Sequence, residues 1–229
     1  MTEAGPGPGY REGMSASTYH HGNLREALVE AAVAAARTDG PAGIGVRELA
    51  RRVGVSHSAA YRHFAHRDDL LAEVATRAMT GLVDAMQRRL DDVDVTEPVL
   101  RARCRLAEIG RAYVAFALAE PGLFRVAFTA HSGVPEDQAA AGRPYALLGE
   151  VLDGLVDVGF LAPSARVGAE TTCWAAVHGF SVLSSDGPLA LMPADERERE
   201  LDRVLAAIDR SYAATTGSVV VPGDVFAVD

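Results

Sequence analysis

Apolar residues recur at intervals of three and four along most of this chain, which is the period of amphipathic α-helices. Clusters of glycine, proline or acidic residues separate the segments that show this period. The predicted helices cover about 24–38, 46–53, 57–64, 68–90, 101–119, 123–129, 144–158, 164–183 and 194–213. No segment alternates convincingly between apolar and polar residues, as a half-buried strand would. The pattern therefore predicts an all-α protein of nine helices.

Polar and turn-forming residues mark the ends of several of these helices. Asn23 is followed by Glu26 three residues later, which is a capping-box pattern for the first helix. Ser164 is expected to be the N-cap of the eighth helix. The segment 131–143 contains glycine, proline and a run of alanine and is predicted to be a loop.

Residues 46–64 have the pattern of a helix-turn-helix. Four apolar residues of its first helix share one face: Val46, Leu49, Ala50 and Val53. Gly54 follows, where a sharp turn and a positive φ are expected. Ser56 occupies the N-cap position of the second helix. Because Ala50 is small and lies four residues before Gly54, the two helices can cross closely, and the second can enter the major groove of DNA.

Short motifs lie on both sides of this helix-turn-helix. YRHF at 61–64 is followed by AHRDDLL at 65–71, YHHGNLR precedes the first helix at 19–25, and WAAVHGF occurs at 174–180. The first two resemble the recognition helix, basic loop and connecting helix of the TetR family of bacterial transcriptional regulators, with Arg67 where the family usually has lysine. The other two are similar to one subgroup of that family, which has a C-terminal Trp-His-Gly signature (WHG type).

Charge is distributed unevenly along the chain. The formal net charge is −9, yet residues 1–70 carry eight arginines and eight acidic residues, so the excess of acid lies in 71–229. Between 47 and 67, five arginines and three histidines accompany a single acid, Glu48. Such a basic patch is typical of a DNA-binding surface. A solvated charged face is the alternative explanation.

The composition also excludes several classes of protein. Hydrophobic residues make up 48% of the chain, but no apolar run approaches the ~20 residues of a membrane span. The first residues lack the apolar segment of a signal peptide. The two cysteines, Cys104 and Cys173, are therefore expected to be reduced in the cytoplasm. No nucleophile elbow, phosphate loop or HExxH motif occurs, so the sequence predicts neither an enzyme nor a cofactor.

The candidate DNA-binding residues lie in the helix-turn-helix and just after it. They are Arg47, Ser56, His57, Ser58, Tyr61, Arg62, His63 and Arg67. Side chains in the first turn of a recognition helix reach base edges, whereas phosphate contacts position the protein. We therefore expect His57 and Ser58 to read bases.

The remaining candidates are assigned mainly to the DNA backbone. The resemblance implies that Tyr61, His63 and Arg67 contact phosphates. Arg47 is a candidate phosphate clamp, and Arg62 can reach either a base or a phosphate. Two alternatives remain open: His63 can instead be a core residue under Phe64, and Ser56 can serve only as a helix cap.

A set of mostly aromatic residues in the C-terminal part is the candidate ligand-binding site. Its members are Tyr113, Phe116, Phe124, Phe128, Tyr145, Trp174 and His178. Trp174 and His178 are four residues apart and share a helix face. An apolar cavity with a few polar groups is what a small-molecule site requires. The alternative is that Trp174 and His178 only pack inside the core.

A metal site is not predicted in the same region. Cys173 and His178 are five residues apart, so they diverge by about 140° around a helix. A metal ion that also used His131 as a third ligand would need Cys173 and His178 on the same side of the helix. The sequence therefore gives no metal ligands.

The predicted organisation has four parts. Residues 1–18 form a disordered arm, 19–67 the DNA-binding domain, 68–215 a helical effector-binding and dimerisation domain, and 216–229 a tail. The resemblance implies a homodimer in which the last two helices, with Phe180 and Leu205 in their apolar stripes, pair with their symmetry mates. A dimer also doubles the number of base pairs that one short recognition helix can read.

The predicted function is that of a cytoplasmic transcriptional repressor. Its partners are a double-stranded DNA operator, a second copy of the chain and a small, largely apolar effector that releases the operator. By the resemblance, effector binding shifts the long fourth helix and thereby the recognition helices. A regulator that needs no effector, or that another protein controls, is the alternative.

Overall fold

A computed structural model describes residues 24–129 and 139–213 of the chain. The α-helices are α1 (Leu24–Asp39), α2 (Val46–Val53), α3 (His57–Tyr61), α4 (Arg67–Asp91), α5 (Pro98–Ala119), α6 (Pro121–Thr129), α7 (Ala139–Asp157), α8 (Ala169–Ser185) and α9 (Ala194–Tyr212). The described residues contain no strand, which confirms the all-α fold. The predicted arm, Asn23, His131 and the tail lie outside the described residues.

The long helix α4 is the centre of the structure and packs against α1, α5, α6 and α7. Its buried residues include four that the sequence pattern places on one face: Val74, Ala78, Leu82 and Met86. Leu70 is also fully buried, whereas its neighbour Leu71 is only half-buried. A helix with neighbours on several sides buries more than one narrow stripe. No helix within the described ranges has the length and apolar character needed to cross a membrane.

The buried face of α1 is also wider than a single narrow stripe. Val29 and Ala32 are fully buried, while Ala27 and Ala31 are half-buried. The reason is that α1 is covered by α2, α4 and α6 together. A helix with one neighbour buries a narrow stripe of residues, whereas α1 has three neighbours and buries a wider face.

Two predicted boundaries in the C-terminal half are wrong. Ser164 is not the N-cap of α8, because it lies in a short 3₁₀ helix (Pro163–Ala165), and α8 begins only at Ala169 after Gly168. Gly168 has a φ of 78°, a left-handed conformation that glycine adopts without steric cost. The predicted loop 131–143 is helical over 139–143, where α7 begins, and Pro144 lies inside α7. The alanine run favours helix strongly enough to begin α7 before the proline.

The helix α6 joins the N-terminal helices directly to the rest of the molecule. Gly122 lies so close to α1 that a Cβ atom built on it would be 1.9 Å from the carbonyl oxygen of Ala36. Beside it, the Arg37 Nε donates to a Glu120 carboxylate oxygen at 3.0 Å. The same helix packs against the 3₁₀ turn Gly40–Gly43 that leads into α2. The helix-turn-helix therefore has two mechanical connections to the C-terminal helices, α4 and α6.

Candidate DNA-binding surface and aromatic cluster

The turn between α2 and α3 has the geometry that the sequence predicts. Gly54 has a φ of 77° and ends α2 in the left-handed conformation. Ser56 has an extended backbone, and its Oγ accepts a hydrogen bond from the Ala59 backbone N–H at 3.2 Å. The α3 helix therefore begins at His57, but it ends at Tyr61 rather than at Phe64. Arg62 and His63 continue as a turn, and Phe64 anchors it in the core at 1% exposure.

The recognition helix presents one polar face to solvent. All eight predicted DNA-binding side chains belong to exposed residues: Arg47, Ser56, His57, Ser58, Tyr61, Arg62, His63 and Arg67. The residue that faces inward is Ala60. The alternative of a core histidine at His63 is thus wrong, because Phe64 alone occupies the buried position there. The arrangement leaves the imidazoles and hydroxyls of α3 available to an approaching duplex.

The positive charge of this surface is less than the arginine count implies. Glu48 accepts hydrogen bonds from Arg51 at 2.8 and 3.0 Å and from Arg52 at 3.0 Å. These two guanidinium groups lower the pKa of the Glu48 carboxyl to about 2. Glu48 therefore stays ionised and partly neutralises both arginines. Within the described part of the chain, Arg47 and Arg62 form no salt bridge, so their charges are the more available ones for phosphate.

Arg67 has an internal role that the sequence did not reveal. Its Nε donates to the Ile44 carbonyl oxygen at 2.7 Å, and its Nη2 donates to the Pro41 carbonyl oxygen. Next to it, the His66 backbone N–H donates to Asp69 Oδ2 at 2.8 Å, which caps the start of α4. Arg67 thus ties the first turn of α4 to the chain that leads into α2. Only the tertiary structure brings those two carbonyls, more than twenty residues away in sequence, next to Arg67.

The aromatic residues of the C-terminal part form a packed cluster. The ring of Tyr113 lies 5.7 Å from Phe124 and 5.2 Å from Trp174, between centroids. Phe128 lies 4.8 Å from Phe124 and 4.7 Å from His178. Such edge-on and tilted packing fills space between α5, α6 and α8. We call these five residues (Tyr113, Phe124, Phe128, Trp174 and His178) the aromatic cluster.

The other two residues of the predicted ligand site, Tyr145 and Phe116, lie at the margin of the aromatic cluster or away from it. Tyr145 on α7 contacts Trp174 at 5.8 Å between ring centroids, and its hydroxyl lies 3.3 Å from Thr171 Oγ1. Phe116 faces α4, because a Cβ on Gly81 would lie 3.3 Å from its ring. The seven residues therefore do not line one cavity together.

The aromatic cluster instead separates two cavities. On one side, Tyr113 and Trp174 line a cavity of about 270 Å³ between α5, α8 and α9. On the other side, Phe124, Phe128 and His178 line a crevice of about 150 Å³ between α6 and α8. Sequence spacing shows which residues share a helix face, but not whether the rings fill a space or surround one.

A single hydrogen bond crosses the aromatic cluster. The Tyr113 hydroxyl lies 2.9 Å from His178 Nδ1. Burial lowers the pKa of the His178 imidazole and raises the pKa of the Tyr113 phenol. Desolvation disfavours the charged form of each group, so both are neutral near pH 7. The polar groups on this side of the larger cavity are thereby already paired.

The larger cavity has a wall that the sequence prediction missed. Leu205, Ile208 and other residues of α9 form it, and Met86 brings the long helix α4 to its edge. Arg103 and Asp209 hold α9 to α5 by a bidentate pair at 2.7 and 2.9 Å. The amphipathic pattern of α9 was visible in the sequence, but its partner helix was not. Both cysteines line this cavity, and no group of three or more potential metal ligands occurs within 24–129 and 139–213.

An exposed helix-turn-helix carried by a helical body defines the class of this protein: a helix-turn-helix transcriptional regulator that binds DNA. Residues 28–74 match the family model described as bacterial regulatory proteins, tetR family. Residues 106–208 match the model described as tetracyclin repressor-like, C-terminal domain. The two matches together span about two thirds of the chain. The chain therefore belongs to the TetR family.

The chain is also similar to several proteins with known sequences or structures. The HTH-type transcriptional regulator YobS of Bacillus subtilis is 24% identical over 195 residues, which are 83% of this chain and 91% of that protein. A structure of a protein with unknown function from Rhodococcus sp. RHA1 is 28% identical, has a TM-score of 0.72 and covers 86% of this chain and 100% of that one. A TetR variant of Acinetobacter baumannii AYE in complex with minocycline is 20% identical, with a TM-score of 0.55 over 82% of this chain and 97% of that one.

Proposed function

We propose that this regulator is a homodimeric repressor that leaves its operator when a small, largely apolar molecule binds among its C-terminal helices. The observation that carries the proposal is the pair of connections, α4 and α6, between the N-terminal helices, which hold the exposed recognition helix, and the helices around the larger cavity. A protein with this activity works in the cytoplasm, where bacterial DNA lies.

The DNA contacts of the proposal follow from position and exposure. His57 and Ser58 stand in the first exposed turn of α3, where side chains read base edges. Tyr61 ends α3 and His63 lies in the turn that follows; both are assigned to phosphates, as is Arg47 at the start of α2. Arg62 is assigned to either a base or a phosphate, and Ser56 to both capping and DNA contact.

The ligand of the proposal is a small uncharged molecule in the larger cavity. Most polar groups there are already paired: Tyr113 bonds His178, the Cys173 Sγ lies 3.4 Å from the Tyr212 hydroxyl, and the charged Arg103 and Asp209 bond each other. A charged ligand would find no free partner inside and would be costly to desolvate. The volume of about 270 Å³ is close to the lower limit for small-molecule sites. Minocycline in the Acinetobacter TetR variant is a precedent for a ligand on this fold.

Gating requires that the ligand prefer one of two conformations. A ligand against Met86 and Tyr113 bears on α4 directly and on α6 through the aromatic cluster. A coupling of about 1–3 kcal/mol would weaken operator binding roughly 5–150-fold. An effector-independent regulator remains the alternative, and it predicts ligands that stabilise the protein without releasing DNA.

The test has two stages. DNA fragments selected by the purified full-length protein give the operator, and small apolar compounds that raise the melting temperature are then tested for release of that operator. The proposal expects at least one compound to do both, with Trp174→Ala abolishing the response at unchanged DNA affinity. Stabilising compounds that leave operator affinity unchanged would favour the ungated alternative, and the absence of any selected sequence would overturn the operator assignment.

A further inference from the structure

A second, smaller cavity lies on the opposite side of the aromatic cluster. We call it the α6–α8 crevice, and it holds about 150 Å³. Its walls come from α6 and from the C-terminal half of α8: Pro121, Phe124, Arg125, Phe128, Thr129, His178, Val182, Ser185 and Asp186. Its volume is about half the lower limit for drug-sized ligands, so it suits a single ring rather than a larger molecule.

Aromatic groups form the inner wall of this crevice. Phe124 and His178 are inclined to each other by only 30°, with their ring centroids 5.4 Å apart. Phe128 lies 4.7 Å from His178 and closes the same side. An aromatic ligand ring can stack or pack edge-on against such faces.

Polar groups form the rest of the lining. Arg125 Nη1 lies 3.3 Å from Asp186 Oδ1, and both side chains are about half exposed. The Ser185 Oγ is buried and has no hydrogen-bond partner among the described residues. A buried hydroxyl without a partner is unusual in a folded protein, and a ligand oxygen would provide one.

From this arrangement we propose that the α6–α8 crevice binds a small monocyclic aromatic carboxylate. The ring lies against Phe124, Phe128 and His178, and the carboxylate takes the place of Asp186 on the Arg125 guanidinium. A ligand carboxylate oxygen also accepts a hydrogen bond from the Ser185 hydroxyl. Asp186 is then an internal competitor, a tethered carboxylate that occupies the arginine when the crevice is empty.

The charge of the ligand follows from which groups remain charged. Arg125 is the cation of the crevice, because burial keeps the His178 imidazole neutral near pH 7. Arginine recognises carboxylates through paired N–H donors, and a single 3.3 Å contact to Asp186 leaves most of these donors unused. A neutral ring would satisfy the aromatic wall only, and a cationic one would be repelled by Arg125.

The site is distinct from the larger cavity, and it lies nearer to the DNA-binding helices. A Cβ on Gly40 would be 3.7 Å from Arg125 Nε, so Arg125 touches the turn that leads into α2. Three residues before Arg125, Gly122 lies against α1. A carboxylate that holds Arg125 therefore acts at the α6 connection to the helix-turn-helix.

Benzoate is the probe, and the fluorescence of Trp174 is the readout. Trp174 is the single tryptophan of the chain and lies 6.2 Å from Phe128 between ring centroids. We expect saturable benzoate binding by the full-length protein, and weaker binding of the neutral analogue benzamide. Arg125→Gln should weaken benzoate binding about tenfold or more, because a charged hydrogen-bond partner is lost. Asp186→Asn should tighten it several-fold, because the internal competitor is removed.

The matched controls are Arg199→Gln and Asp195→Asn, which alter a similar exposed pair on α9 at 2.8 Å. Neither should change benzoate affinity. Equal binding of benzoate and benzamide, or no saturable binding at all, would overturn the proposal. So would Asp186→Asn leaving the affinity unchanged, and this variant keeps the test decisive if Arg125→Gln lowers stability. Because the readout is binding, these outcomes leave the proposed repressor function standing.

Discussion

Arg67 lies where the candidate DNA-binding surface meets the first turn of α4. The family resemblance assigns it to a phosphate, while the structure gives its guanidinium two carbonyl partners, Pro41 and Ile44. A side chain with five N–H donors can hold carbonyls and still present an edge to a phosphate. The two roles make different predictions, so a single substitution separates them.

Arg67→Ala should lower the free energy of unfolding by about 1–2 kcal/mol, because two carbonyl oxygens lose a charged donor at a partly exposed site. Thermal or urea unfolding measures this loss. The phosphate role further predicts weaker binding to all DNA sequences and a salt dependence shallower by about one unit of log–log slope. The control Arg47→Ala should weaken DNA binding without loss of stability. A stable Arg67→Ala protein would contradict the internal role, and an unchanged salt slope would contradict the phosphate role.

His57 and Ser58 are the residues of α3 assigned to bases. Substituting either with alanine should change the preferred bases at one operator position by about 1–3 kcal/mol, because a hydrogen bond to a base edge is lost. DNA selection with each variant measures the preference. Ser56→Ala is the comparison: loss of its cap to Ala59 should lower stability by about 1 kcal/mol. The same consensus from both the His57 and the Ser58 variants would refute their assignment to bases.

The half-buried His178 makes stability depend on pH. Its folded-state pKa is lowered by desolvation, whereas in the unfolded chain it is close to the ordinary value of about 6.5. Below about pH 6.5 the unfolded state binds a proton that the folded state does not, so the free energy of unfolding falls as pH decreases. Urea unfolding between about pH 7.5 and 5 should show this loss, and His178→Asn should reduce its slope. An identical slope in that variant would mean that other groups cause the loss.

At the scale of elements, the packing of α6 on α1 depends on one glycine. Gly122→Ala would place a methyl group 1.9 Å from the Ala36 carbonyl oxygen, so α6 has to move. We expect a loss of about 1–3 kcal/mol of stability from this overpacking, and an altered operator affinity because α6 holds the turn before α2. Gly154→Ala on α7 is the control, since nothing lies within 4 Å of its added Cβ, and it should stabilise the protein by up to about 1 kcal/mol. An unchanged operator affinity in the Gly122 variant would mean that α4 alone connects the two regions.

For the complete protein, the proposed dimer has to use surface that a single chain leaves open. Phe180 and Leu205, expected at the interface, are 6% and 8% exposed within one chain, and Leu205 packs against Gly110. They are core residues because α8 and α9 turn their apolar stripes toward α5. The open face of α8 instead carries residues at three- and four-residue spacing: Thr172, Ala175, Gly179 and Leu183. Small residues there allow a second helix to approach closely.

Ala175→Glu should therefore convert the proposed dimer to folded monomers. The new carboxylate would be buried without a partner in the dimer, which costs free energy, but would be exposed to water in the monomer. Sedimentation measures the mass, and thermal unfolding checks the fold. Ala146→Glu, at an exposed position of α7, is the control and should leave the mass unchanged. A dimer that survives Ala175→Glu would place the interface elsewhere.

Local patterns in the sequence were enough to predict the helical period, the turn at Gly54, the cap at Ser56 and the family. These depend on neighbours within a few residues, where spacing and conformational preference act directly. The tertiary structure was needed to show that Arg67 bonds the carbonyls of Pro41 and Ile44, and that Phe180 faces inward. It also decided that the aromatic residues separate two cavities rather than line one. The helical period shows which residues share a face. Which helix packs against that face depends on segments far apart in the chain. Because the interior is closely packed, a cavity forms only where those segments do not meet.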